Sequence, residues 1–136
     1  MNTVVIFYSY TGKTEAIARR IAEEQSAGII QIKDVRRPGK LKAFLAGTIA
    51  AGRGKAWPIM PIDTELDTYD IFILMSPIWA GFPAPAFNAL INILPENKSV
   101  AIKMISSSGK SKCAERLEKV INAKGGTLES FEDIKA

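Results

Sequence analysis

The chain has 136 residues, enough for one domain with a core of its own, and its 47% hydrophobic and 24% charged content is that of an ordinary globular protein. It contains no histidine and one cysteine, Cys113, which excludes Ser-His and Cys-His nucleophile pairs, histidine-based metal sites and an internal disulfide framework. The net charge is +4; no apolar run approaches the ~20 residues that span a bilayer, and no basic stretch precedes the first apolar run. A membrane span and a signal peptide are therefore not expected, and a reducing cytoplasm is the expected compartment.

In chain order, Val4–Tyr8 is a near-continuous apolar run and predicts a strand buried on both faces. Residues 14–24 predict a helix, with Ile17, Ala18, Ile21 and Ala22 as its apolar stripe and Glu15–Arg19 and Arg19–Glu23 as i,i+4 pairs. Ile29–Lys33 alternates and reads as an edge strand. Leu41, Phe44, Leu45, Thr48 and Ile49 predict the packing stripe of a second helix that ends near Gly52 and Gly54. Ile71–Met75 is again a buried strand. Phe87, Leu90, Ile91 and Leu94 form a third stripe, begun by Pro83 and Pro85 and stopped before Pro95. Val100–Ile105 is a buried strand with Lys103 as its one polar interruption. Cys113, Leu117, Val120 and Ile121 form a fourth stripe, closed by Gly125-Gly126, in which Cys113 is a small buried apolar residue. Thr127–Phe131 is a weaker edge strand. Strands and helices alternate strictly, so residues 1–136 predict a single α/β domain: a doubly wound, five-stranded parallel sheet with helices on both faces and right-handed crossovers.

Three loops follow strand patterns and hold the candidate site residues. The first is Ser9, Tyr10, Thr11, Gly12, Lys13 and Thr14. A hydroxyl-rich loop at a helix start suits a phosphate, because free N–H groups and the helix dipole favour an anion and hydroxyls donate further bonds. A bland alternative is an ordinary turn in which Thr11 or Thr14 caps the helix. Lys13 is expected to point into water, and Tyr10 to lie on the solvent side. A P-loop needs glycine where Phe7 stands. A receiver domain needs carboxylates where Ser9 and Tyr10 stand. A dinucleotide fingerprint needs three glycines where only Gly12 is present. The second loop is Ser76, Pro77, Ile78, Trp79, Ala80, Gly81 and Phe82; the third is Ser106, Ser107, Ser108 and Gly109. In the third loop, capping of the following helix by Ser108 or Ser111 is an alternative reading. In a doubly wound sheet such loops meet in one crevice outside the carboxyl ends of the strands.

These motifs resemble the flavin loops of the flavodoxin family. Ser9–Thr14 fits that family's S-x-T-G-x-T phosphate loop, Ser76–Gly81 its second loop with an aromatic beside the flavin, and Ser106–Gly109 its third; the resemblance runs from about residue 2 to residue 133. It implies strand order 2-1-3-4-5, FMN as cofactor, and transfer of electrons through it. Trp79 would wall the flavin, a flip of the Ala80–Gly81 peptide would turn a carbonyl toward flavin N5, and Ser106–Gly109 would offer N–H groups to the pyrimidine edge. Alternatives are a small FMN-dependent NAD(P)H or quinone oxidoreductase, and an interaction module that has lost the cofactor. Two departures from the family stand out. Residues 33–55 hold Lys33, Arg36, Arg37, Lys40, Lys42, Arg53 and Lys55 against Asp34 alone, a net +6; the readings are a solvated helix with basic flanks or a docking face for an acidic redox partner, with neither nucleic acid nor membrane as partner. The chain also stops at Ala136, without the family's fifth helix. The sheet face beside the first helix is then expected to show an apolar strip, covered by a homodimer or by residues 40–62.

Overall fold

The apolar runs become the middle of a parallel sheet, because strands covered on both faces need apolar side chains at every position. In the computed structural model, which describes all residues from Met1 to Ala136, β1 (Thr3–Tyr8) pairs in parallel with β2 (Gly28–Ile32) and with β3 (Ile71–Trp79). β3 pairs with β5 (Ser99–Ser106), and β5 with β6 (Thr127–Lys135). The order β2-β1-β3-β5-β6 is the expected one, with β4 (Phe82–Pro83) as a short antiparallel addition to the end of β3.

Successive strand residues point to opposite faces, and the sheet therefore builds two cores. On one face Val4 and Ile6, Phe72 and Leu74, and Ile102 and Met104 meet Phe87 and Leu90 of α4 (Pro85–Ile93) and Leu117 and Ile121 of α5 (Ala114–Ala123). On the other, Val5, Phe7, Ile73, Met75 and Ile105 meet Ala18 and Ala22 of α1 (Lys13–Glu24). Cys113 is fully buried as expected, but at the N-cap of α5 rather than inside it.

Only α1 covers the second face. Over β5 and β6 the expected apolar strip is absent. Lys103 Nζ lies 2.8 Å from Glu132 Oε1, and Ser99 Oγ lies 3.2 Å from Glu129 Oε1, so the surface there is polar. The residue that interrupts the apolar run of β5 is the one that finishes this face. Strand β6 also carries a bulge: Val100 pairs with Leu128 and Ala101 with Ser130, leaving Glu129 as the extra residue.

Residues 40–52 form one helix of three parts, α2 (Lys40–Lys42), a π turn at Ala43–Gly47 and α3 (Thr48–Gly52). Its orientation reverses the sequence expectation. Leu41, Phe44, Leu45 and Ile49 are 72, 71, 53 and 57% exposed, and the buried side is Ala43, Gly47, Ala50 and Ala51. Close approach decides this: a Cβ on Gly47 would stand 2.7 Å from Trp79 Cζ3 and 3.4 Å from Trp57 Cη2. The wide π turn disturbs the carbonyl ladder, and Thr48 Oγ1 donates to Phe44 O at 2.6 Å in compensation. Arg116 of α5 donates to Ala51 O and Gly52 O at 3.2 and 2.7 Å, Asn88 Nδ2 to Lys55 O, and Trp57 N to Pro85 O. The segment 40–57 thus packs on the α4–α5 side, and does not cover the face beside α1.

Candidate functional site

The first loop is held from within by Ser9. Its Oγ accepts the N–H groups of Gly12 at 3.1 Å and Glu15 at 3.2 Å, so Ser9, and neither Thr11 nor Thr14, ties down the start of α1. Gly12 has φ +100, a left-handed conformation that favours glycine. The backbone N–H groups of Tyr10, Thr11, Lys13 and Thr14 donate to no group of the chain. Thr11 and Lys13 are exposed, and Thr14 is buried. Of the acids beside the loop, Glu15 has its charge met by Arg19 at 2.7 Å, and Asp34 accepts the Tyr8 hydroxyl. Four free donors at the positive end of a 12-residue helix are suited to an anion.

The second loop is a two-residue hairpin. Trp79 pairs with Phe82, and both central residues have positive φ, Ala80 at 52 and Gly81 at 95. This is the type I′ pattern. Ser76 Oγ accepts Ala84 N, and Gly81 O accepts Lys112 N at 2.7 Å, which ties the turn to the segment after the third loop. Flipping the central peptide of a I′ turn gives a II′ turn, whose first central position belongs to glycine. Ala80 occupies that position. Gly81 therefore serves the turn as it stands, and the Ala80 side chain opposes the flip expected from the sequence.

Trp79 stands at the centre of an aromatic cluster, edge-on to Tyr8, Tyr10 and Trp57 with centroids 6.3, 5.7 and 6.4 Å away. Tyr10 is not on the solvent side. Its hydroxyl donates to Pro38 O at 2.8 Å, the Arg37 guanidinium lies 4.2 Å over its ring, and Arg37 Nη2 donates to Tyr10 O at 2.9 Å. Tyr10, Trp79 and Ala80 join Ala43, Phe44 and Thr48 around an open apolar cleft of about 390 Å³. Ile78 and Phe82 turn instead to the α4–α5 core, with Arg116 4.2 Å over the Phe82 ring; Pro77 is half-buried.

The third loop folds on its own hydroxyls. Ser106 Oγ accepts Gly109 N at 3.0 Å and Ser108 Oγ accepts Lys110 N at 3.2 Å. Neither Ser108 nor Ser111 caps α5, whose N-cap position is Cys113. The N–H groups of Ser107 and Ser108 are uncommitted. The loop follows β5, next to β3, but none of Ser106–Gly109 lines the Trp79 cleft.

A second cavity of about 300 Å³ adjoins the first loop and is lined in part by Tyr8, Ser9, Asp34 and Arg37. Tyr8 donates its hydroxyl to Asp34 Oδ2 at 2.5 Å, while Asp34 Oδ1 is buried without a partner. Burial pushes the Asp34 carboxyl above its ordinary range against the opposing pull of the Tyr8 hydrogen bond and of Arg37. Tyr8 is likewise pushed above the tyrosine range, by burial first and by Asp34 second. Sequence reasoning missed Asp34 and Arg37; the signal was a single acid inside a basic run. It also missed Ala43, Phe44 and Thr48, because the stripe of the second helix pointed the other way.

No protein-family model matches this chain, and no curated protein matches it in sequence. Solved structures do match in shape. A flavoprotein from Lactobacillus acidophilus NCFM in complex with FMN is 20% identical with a TM-score of 0.78, over 96% of this chain and 91% of that one. The two-electron reduced flavodoxin of Megasphaera elsdenii is 16% identical with a TM-score of 0.59, over 96% and 83%. Oxidised flavodoxin 1 of Bacillus cereus is 18% identical with a TM-score of 0.57, over 100% and 86%. At these identities the likeness is one of fold: the chain has the flavodoxin-like fold.

Proposed function

We propose that this protein binds FMN and passes electrons through it. The observation that carries the reading is the run of uncommitted N–H groups at Tyr10, Thr11, Lys13 and Thr14 on the same sheet edge as the apolar cleft at Trp79. The donor set fits a terminal phosphate monoester: backbone amides and the helix dipole, helped by the Thr11 hydroxyl. The cleft fits a flat, largely apolar ring, with Trp79 and Tyr10 among its walls. The free N–H groups of Ser107 and Ser108 are the donors for an electron-rich ring edge. Bound FMN would supply reversible one- and two-electron chemistry, which a chain without histidine and with one buried cysteine does not itself offer. The likeness in fold to an FMN complex supports the same reading.

Titrating FMN, riboflavin and FAD into the apo-protein, with flavin fluorescence as the readout, tests it. FMN should bind tightest, because only FMN brings a terminal phosphate to the start of α1. Riboflavin binding as well as FMN would overturn the phosphate-loop assignment. The cleft at Trp79 is wide open, with room for a small acceptor, and this favours a second reading as an FMN-dependent reductase. NAD(P)H oxidation by the loaded protein without a partner reductase would support that second reading over the carrier.

A further inference from the structure

We propose that the 40–52 helix docks this protein flat onto an anionic lipid surface. Leu41, Phe44, Leu45 and Ile49 project from one side of it, each more than half exposed. They recur at i, i+3, i+4 and i+8, the spacing of an apolar helix face. The opposite side is committed to the protein through Gly47 and its alanine neighbours. The ridge is therefore not a stripe awaiting its own core. Around it, residues 35–62 contain six cations and no acid. All six, Arg36, Arg37, Lys40, Lys42, Arg53 and Lys55, are exposed, and none is in an ion pair. Arg37 is held on Tyr10 and Lys42 lies over Trp57, but all six charges are unneutralised, and large apolar side chains on one side with such Lys and Arg flanking them is the composition of an interfacial helix. Its apolar face enters the headgroup boundary while its cations meet anionic lipid.

Charge and shape decide against other occupants. A second copy on this ridge would bring two such clusters together well within the ~8 Å over which salt screens charge. Nucleic acid would meet the cations but would set phosphates against four apolar side chains. An acidic protein would satisfy the charges, but it would need a groove matched to a convex ridge, whereas a bilayer surface yields to one. The inference needs no cofactor: Phe44 also borders the Trp79 cleft, whereas Leu41, Leu45 and Ile49 lie outside it and carry the contact when FMN is bound.

Sedimentation with vesicles tests it, using phosphatidylcholine alone and phosphatidylcholine with phosphatidylglycerol. The wild-type chain should pellet with the anionic vesicles, stay in solution with the neutral ones, and be released by high salt. Leu45→Glu with Ile49→Glu should weaken anionic-vesicle binding by ~tenfold or more, because lipid excludes the introduced charges. Both positions are over half exposed, and an unchanged circular dichroism melt checks that the fold persists. Absence of pelleting with anionic vesicles overturns the proposal. So does binding that survives the double substitution, which would reduce the contact to diffuse charge. Retention on an acidic protein matrix without vesicle binding would assign the ridge to a protein partner instead. A dimer in sedimentation equilibrium that the double variant abolishes would assign it to a second copy.

Discussion

Asp34 is the residue where charge and burial oppose each other most directly. Its folded-state carboxyl lies above the ordinary 3.8 because burial outweighs the Tyr8 hydrogen bond. The native state therefore holds that proton more tightly than the unfolded chain does, so the stability it contributes is full below pH 3.8 and is lost as pH rises through the folded value. Asp34→Asn keeps an acceptor for Tyr8 and has no proton to lose. Urea unfolding across a pH series should then show a flatter curve just above pH 3.8 for the variant than for the wild type; parallel curves would mean that Asp34 does not titrate as its burial implies. At Ala80 the question is backbone freedom. A left-handed alanine costs about 1–2 kcal/mol, and glycine there gives back about 0.5–1 kcal/mol through the unfolded chain. Ala80→Gly should thus change stability little while opening the flipped turn. In the FMN-loaded protein it should change the gap between the two one-electron potentials, read by spectroelectrochemical titration. Unchanged potentials would place the peptide away from the flavin.

Among the elements, the 40–52 helix shows where magnitudes decide orientation. An alanine in place of a mid-helix glycine ordinarily gains about 1 kcal/mol. At Gly47 the new Cβ would meet Trp79 Cζ3 at 2.7 Å, with Trp57 close behind, and overpacking of that kind costs about 1–3 kcal/mol. Gly47→Ala should therefore destabilise, with a shift in tryptophan emission; a stabilised variant with unchanged emission would show that the helix does not press on Trp79. The same contact explains why this element was misread from sequence. Periodicity places Leu41, Phe44, Leu45 and Ile49 on one face but does not say which face packs, and here the small residues pack. β1, β3 and β5 were legible because full burial leaves little but apolar residues. β6 reads only as far as Phe131, although it runs to Lys135, because the bulge at Glu129 breaks the two-residue period: Leu128 and Phe131, three apart, both face the larger core. The phosphate-loop residues were legible as a motif, but the task of Ser9 was not, since whether a hydroxyl serves the chain or a ligand depends on where the N–H groups of Gly12 and Glu15 point.

For the molecule as a whole, a ligand that binds only the folded state stabilises all of it by mass action. FMN at ~100 times its Kd should add about 2.7 kcal/mol, and the thermal midpoint should climb with FMN concentration. A midpoint that FMN leaves unmoved would contradict binding to the native state. The sheet ends at β6, and the outer edge of that strand is the longest stretch of backbone left for another chain to pair with. Unpaired edges of this kind template aggregation unless something spoils the match. The extra residue at Glu129 does so: a flat incoming strand would fall out of register at that point, and Glu129, Glu132 and Lys135 would have to be brought against it at the cost of their water. The irregularity that hid this strand in the sequence thus works against edge-to-edge pairing of two folded molecules.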